Sequence, residues 1–287
     1  MSVMAEPAPP PGPPLPVEPV EPVEPVAAAR RPLLRREVLV VLGLSLGASA
    51  VYAVLAIIDR LTKQVALSQQ SSSLNTSVTP DRPWLDLAYQ LTGYAVALVP
   101  VAAAFYLLRR VDPPVLAVAE GRWSPSRFLG LDLRRPRFDA GGGVALAALI
   151  GIPGLGLYVV ARALGLNTQV AAANLGGAWW TIPVLVLSAI QNAVLEEVVV
   201  VGYLMTRLRQ LGWRVPVVVA ASALLRGSYH LYQGFGGFVG NAVMGVVFAL
   251  VYLRWRRVGP LVVAHTILDI VAFVGYTLLK DHLAWLQ

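Results

Sequence analysis

Seven apolar stretches, separated by short polar segments, organise the chain. They run from about Val38 to Ile58, Trp84 to Leu108, Ala140 to Ala161, Trp179 to Met205, Val215 to Tyr232, Phe238 to Leu253 and Val258 to Leu279. Most have the length of about 20 residues that carries a helix across hydrocarbon. The pattern predicts an all-α polytopic membrane protein with about seven transmembrane helices. Gly151-Ile152-Pro153-Gly154 predicts a break in the third stretch, and the shortness of the sixth predicts a tilted or re-entrant element.

Charge sharpens this picture. Of the 23 Lys and Arg residues, 17 fall in alternate inter-stretch segments: Arg30 to Arg36, Arg109 to Arg137, Arg207 to Arg214 and Arg254 to Arg257. The intervening segments hold five (Arg60, Lys63, Arg82, Arg162 and Lys280), and Arg226 lies inside a stretch. Positive charge stays cytoplasmic, so the alternation predicts a cytoplasmic N-terminus. The Ser/Thr/Gln/Asn-rich segment 69–81 then lies outside and is expected to be solvated.

Composition agrees: 56% of the 287 residues are hydrophobic and 14% charged, against roughly 25% charged in soluble domains. The mean hydropathy is +0.64. The net charge of +7 does not point to nucleic acid, because the basic residues flank apolar runs. The expected partners are membrane lipids. Residues 1–29, with the run VEPVEPVEPV, are too proline-rich for helix and are expected to be a disordered cytoplasmic extension. The tail is acidic, so it does not read as a signal peptide. The chain divides into the tail and its basic cluster (1–36), N-terminal spans and a basic loop (37–139), and a C-terminal core (140–287).

Ionisable residues within the apolar stretches carry the chemistry. They are Glu196, Glu197, Arg226, His230, His265 and Asp269. Each costs about 2.5–3.5 kcal/mol at the bilayer centre on insertion scales, so they are expected to face one another or a wet cavity. Arg226 and His230 are four apart, as are His265 and Asp269, so each pair shares a helix face. Glu196 and Glu197 point about 100° apart. Gln191, Asn192 and Asn241 add polar groups nearby.

A carboxylate with two histidines can activate water. Glu196 serves as general base, Arg226 as its counter-cation, and a histidine as oxyanion donor or acid toward the leaving amine. Alternatively, Glu196, His230 and His265 bind a divalent metal such as zinc that lowers the pKa of its water. Glu197 is expected to pair with Arg226 or to act as an auxiliary ligand. With no cysteine, thiolate ligands and nucleophiles are excluded. HExxH, Gly-x-Ser-x-Gly and Gly-x-Gly-Asp are absent.

At these residues the chain resembles the CPBP family, the CAAX-processing and bacteriocin-processing (Abi) intramembrane proteases. The family pattern is Glu-Glu with an arginine four residues after the second, then Phe-x-x-x-His, then His-x-x-x-Asn/Asp, each on its own helix. Here the matching segments are NAVLEEVVVVGYL, LLRGSYHLYQG and VVAHTILDIV, with Glu196, Glu197, His230, His265 and Asp269 at the motif positions. The resemblance covers roughly residues 140–275 and implies peptide-bond hydrolysis of membrane-associated or lipid-modified protein substrates. Two positions depart: the motif arginine falls on Val201, and the motif phenylalanine falls on Arg226. This predicts a transposed cation, with Arg226 serving the glutamates from the facing helix. Substrate access is expected from the cytoplasm or laterally from lipid. The competing expectation is a non-catalytic membrane protein, transporter-like or an immunity or scaffold protein, that uses the polar cluster for binding.

Overall fold

In a bilayer every backbone N–H and C=O must be satisfied within the protein, which leaves helices as the economical solution for apolar runs. The computed structural model describes residues 25–110 and 124–279, with Val23 and His282, and these are predominantly helical. In chain order the helices begin with α1 (Arg31–Gly43) and α2 (Leu46–Thr62). A short strand β1 (Ser71–Ser73) leads to α3 (Pro83–Ala97) and α4 (Val99–Arg110). A single turn α5 (Pro125–Phe128) precedes α6 (Pro136–Ala163), and strand β2 (Gln169–Ala171) follows it. Helix α7 (Thr181–Glu196) continues through a π-helical segment, Glu197–Leu204, into α8 (Met205–Gln210). The last three are α9 (Val215–Tyr229), α10 (Phe235–Trp255) and α11 (Gly259–Leu279).

Five helical units are long and apolar enough to cross a membrane: Pro83–Arg109, Pro136–Ala163, Thr181–Gln210, Phe235–Trp255 and Gly259–Leu279. The pair α1 and α2, bent by 54°, makes a sixth if counted as one span. The protein is a multi-pass integral membrane protein, and it departs from the pattern of apolar runs at four points, the first being the bend that divides the run Val38 to Ile58 between α1 and α2. The fifth run is a helix of only 15 residues, about 22 Å at 1.5 Å per residue. The third is not broken, because α6 passes through Pro153. Transmembrane helices tolerate proline where neighbours satisfy the freed carbonyl. The sixth is a full helix of 21 residues, since Phe235-Gly236-Gly237, ahead of the apolar run that begins at about Phe238, is already helical.

Thr181–Gln210 is the central unit. Of its most apolar window, 67% is buried, against 17–28% in the other four. Val198, Val199, Val200, Val201 and Tyr203 are fully enclosed by neighbours that include Phe248, Leu129 and Leu261. The other units therefore screen this one from lipid. Close packing depends on small residues at the contacts. A Cβ at Gly143 of α6 would collide with Val263 of α11, and one at Gly227 of α9 would lie 2.8 Å from the Phe238 carbonyl oxygen of α10.

The two ends of the bundle differ. At the arginine-rich end, buried Arg257 bridges Asp139 (2.6 Å) and Asp132 (3.0 Å), and Arg207 of α8 meets Glu37 of α1 at 2.8 Å. Burial works against the Asp132 carboxylate, but the Arg134 N–H and Arg257 overcome it and hold its carboxyl below the ordinary value. Most of the proline-rich tail lies outside the described residues. Its end is built in: Val26 is buried, its N–H donates to the Gln210 carbonyl at 2.8 Å, and the basic cluster forms the start of α1.

At the other end, segments 64–82 and 164–180 form an ordered layer. Strand β1 pairs in parallel with β2, Ser71 opposite Gln169. The Ser72 hydroxyl, 1% exposed, contacts the Thr168 hydroxyl at 2.7 Å and donates to the Tyr232 carbonyl at 3.0 Å. Segment 69–81 is thus partly built in rather than simply solvated, because its serines find partners in the 164–180 segment.

Candidate active site

The six intramembrane ionisable residues converge, and the convergence follows from where their helices stop and turn. Glu196 is the last residue of α7, and Glu197 opens the π-helical segment. Such segments widen the helical turn and recur at functional sites. Here the two carboxylates diverge toward different surroundings while staying within reach of one cation. Helix α9 enters from the arginine-rich end and stops inside the bundle, carrying Arg226 and Tyr229, with His230 at its C-terminal cap. Helix α11 supplies His265 and Asp269 one turn apart.

Arg226 is fully buried and engages both glutamates. Its Nη2 donates to both oxygens of Glu197, at 2.7 and 2.8 Å, and its Nη1 donates to Glu196 Oε2 at 3.2 Å. The guanidinium also packs over the Phe248 ring, 5.4 Å from its centroid. The cation at the expected second motif position thus sits where both carboxylates need it. Val201 is buried among apolar neighbours.

Glu197 also contacts His265, with Nδ1 2.7 Å from Oε1. An ionised carboxylate only accepts, so that nitrogen carries the proton and Nε2 is left for other partners. His265 Nε2 lies 3.9 Å from Glu196 Oε2 and 3.7 Å from Asp269 Oδ1. Asp269 is held from its far side by the Asn192 side chain, at 3.4 Å. His230 makes no direct contact with either glutamate; its Nδ1 lies 3.0 Å from the Arg226 carbonyl, which again places the proton on Nδ1. Asn241 donates to the Gly237 carbonyl at 2.9 Å and faces the cavity without touching a carboxylate.

One residue of the cluster is not singled out by sequence. Tyr229 is buried and its hydroxyl donates to Glu196 Oε2 at 2.7 Å. Its signal is positional: it lies three residues after Arg226, on the same helix face.

Glu196, His230, His265, Asp269, Asn192 and Asn241 line a single cavity of about 720 Å³, and Glu197 does not. The pair is thereby divided, Glu196 to the cavity and Glu197 to the ion pair behind it. From the site the cavity runs in one direction. On α7 its walls are Glu196 and residues preceding it, back to Ser188, and on α11 they are His265 and residues following it, out to Phe273. Asn75, Val170, Tyr232 and Gln233, at the end bearing the two-stranded layer, also line it, as do residues of α2, α3, α6 and α10.

Among the described residues, one group could hold a metal ion: Glu196, Glu197 and His265, whose donor atoms lie within 4.8 Å of one another. The set expected from sequence differs, since His230 stands outside the group with its Nδ1 on a backbone carbonyl. The donors do not fit a divalent ion as arranged. Both oxygens of Glu197 accept from Arg226, one also meets His265, and Glu196 Oε2 accepts from Arg226 and Tyr229. A guanidinium already holds the cation position.

Residues 178–271 match the family described as Type II CAAX prenyl endopeptidase Rce1-like. The matched segment contains all six ionisable residues and Tyr229, and none of the first three apolar stretches. No curated protein and no solved structure matches the chain.

Proposed function

We propose, from the premise that the C-terminal spans of this chain belong to the CPBP (CAAX protease) family, that it is an intramembrane endopeptidase hydrolysing membrane-associated or lipid-modified protein substrates with a glutamate-activated water. One observation carries this reading: the gap on the cavity wall between Glu196 Oε2, His265 Nε2 and Asp269 Oδ1, whose flanking distances are 3.9 and 3.7 Å. A water there meets a carboxylate acceptor and a ring nitrogen at once.

In this mechanism Glu196 removes a proton from the water as its oxygen bonds to the scissile carbonyl carbon. The Glu197–His265 contact holds the ring so that Nε2 faces the water. His230, with Nδ1–H committed to the Arg226 carbonyl, donates to the oxyanion from Nε2 when the ring is protonated. The tetrahedral adduct collapses with C–N cleavage, and the proton held by Glu196 passes to the leaving amine. Arg226 and Tyr229 hold the Glu196 carboxylate in position to accept. No step requires a metal, consistent with a donor set already engaged by Arg226.

The test is cleavage by purified protein in detergent, with a farnesylated CAAX peptide and an unmodified transmembrane peptide as probes. Wild type is expected to cleave at least one, and Glu196→Ala neither. Equal cleavage by both proteins would remove Glu196 from the role of base.

A further inference from the structure

The cavity has a direction, and the chain's charge has one too. On four helices the cavity wall lies between the site and the end bearing segments 64–82 and 164–180, and the first turn of α2 (Leu46, Ser49) and the last turn of α3 (Tyr94, Ala97) close its side. The four stretches are Ser188 to Glu196 on α7, His265 to Phe273 on α11, Gly236 to Met244 on α10 and Ile150 to Tyr158 on α6. At the opposite end, no residue of 207–214 or 254–257 contributes to the lining. That opposite end is the arginine-rich one, where Arg207 and Arg257 are buried in ion pairs and the described residues of the basic sequence segments lie.

We infer that the active-site cavity is addressed from the non-cytoplasmic face of the membrane, and that the substrates are membrane-anchored peptide segments presented on that face. The positive-inside rule places the arginine-rich end in the cytoplasm. The cavity runs away from it, past Glu196 and Asp269, to a rim formed by Asn75, Val170, Tyr232 and Gln233. These rim side chains are half-buried, so the layer narrows the mouth without sealing it. This differs from the access from the cytoplasm or laterally from lipid that is expected from sequence. Glu196 lies midway along the unit Thr181–Gln210. Beyond it the lining combines polar Ser188, Gln191, Asn192 and Asn75 with apolar Leu157, Val170, Leu268 and Phe273, which suits a peptide backbone carrying apolar side chains. The substrate class rests on the endopeptidase reading, whereas the direction of the cavity does not.

The chain contains no cysteine, which permits a direct test. Single cysteines are placed in the cavity (Leu157→Cys, Asn241→Cys), on the layer-bearing end (Gln64→Cys) and on the arginine-rich end (Trp213→Cys). Each variant is first shown to be monodisperse in detergent. Intact cells and sealed inside-out vesicles are then treated with a membrane-impermeant maleimide. In intact cells Leu157→Cys and Asn241→Cys are expected to label with Gln64→Cys, several-fold above Trp213→Cys, and in inside-out vesicles the order reverses. Cavity cysteines that follow Trp213→Cys, label from neither face, or accompany a Gln64→Cys that labels only in inside-out vesicles would each overturn the inference. Labelling requires no turnover. A chain that labels as expected yet cleaves nothing therefore counts against the endopeptidase reading and leaves the direction of access standing.

Discussion

Arg226 and Glu197 form a closed pair in the protein interior: one guanidinium nitrogen reaches both carboxylate oxygens, at 2.7 and 2.8 Å, and neither residue is exposed. Such a pair is a poor source of net stability, because desolvating both charges offsets most of their attraction. Its more telling property is what happens when it is broken. Arg226→Ala leaves Glu197 buried without its cation, and we expect a loss of about 3–5 kcal/mol in detergent unfolding. Arg226→Lys restores the charge but not the reach to both glutamates. It should recover stability in part and activity very little. The double variant Arg226→Met with Glu197→Met should recover stability, since a packed apolar pair replaces a buried ionic one, yet remain inactive because His265 loses its orienting partner. Recovered cleavage in the double variant would show that the pair only holds helices together.

The ionisable cluster is legible in the sequence because charge inside an apolar run is conspicuous and i, i+4 spacing assigns it to a face. The transposed cation is legible for the same reason: Arg226 stands where no lipid-facing arginine would. Tyr229 is not, since a tyrosine in an apolar helix is unremarkable without knowledge of what faces it. The π-helical turn is equally hidden, because Glu197-Val-Val-Val-Val-Gly-Tyr-Leu204 has the pattern of an ordinary buried α-helix. The short α9 was obscured by the apolar Leu231-Tyr232, which lengthens the run past the point where the helix ends. Glu37 is also silent in sequence, embedded among arginines, though it pairs with buried Arg207.

The Tyr229 hydroxyl should matter to chemistry more than to folding. It donates to the Glu196 oxygen that also faces His265. A hydrogen bond to a charged group contributes about 1.5–3 kcal/mol, so Tyr229→Phe is expected to lower kcat roughly ten- to a hundred-fold. KM and thermal stability should change little, since the ring remains packed. An unchanged kcat would show that Arg226 alone holds Glu196 in place.

The two glutamates should separate under the same substitution. Glu196 faces the cavity, so Glu196→Gln removes the base and abolishes cleavage while the fold is retained. Glu197 is enclosed and bonded to Arg226 and His265, so Glu197→Gln leaves a buried guanidinium short of charge. We expect it to destabilise by about 3–5 kcal/mol and to reduce cleavage indirectly. Thermal shift in detergent beside a cleavage assay distinguishes them. A stable but inactive Glu197→Gln would exchange the roles.

The Asp132–Arg257–Asp139 clamp gives a pH dependence away from the site. Burial opposes the Asp132 carboxylate, while the Arg134 N–H and Arg257 outweigh it and hold its carboxyl below the ordinary value of 3.8. A depressed folded-state pKa contributes stability that is fully present above the unfolded value and lost as pH falls through the folded one. The melting temperature should therefore fall as pH drops below 3.8. Asp132→Asn should be less stable near neutrality, with the gap to wild type narrowing in acid. A gap that stays constant down to acid pH would exclude Asp132 as a source of this dependence.

Chelation provides the sharpest separation between the two chemistries that a carboxylate and histidines allow. A divalent ion at Glu196, Glu197 and His265 would have to displace Arg226 from both oxygens of Glu197. It would also leave the guanidinium buried beside it, and two like charges at that separation in a low-dielectric interior repel strongly. Prolonged treatment with EDTA or phenanthroline, followed by removal of the chelator, is therefore expected to leave cleavage unchanged, and elemental analysis should find no stoichiometric zinc. Arg226→Ala offers the converse: with the guanidinium gone, the three donors become free to bind zinc, and added zinc should stabilise that variant against thermal unfolding while leaving wild type unaffected. Activity of wild type that disappears on chelation and returns with zinc would show that Arg226 yields its place to a metal, and would move the activation of water from Glu196 alone to a metal-bound site.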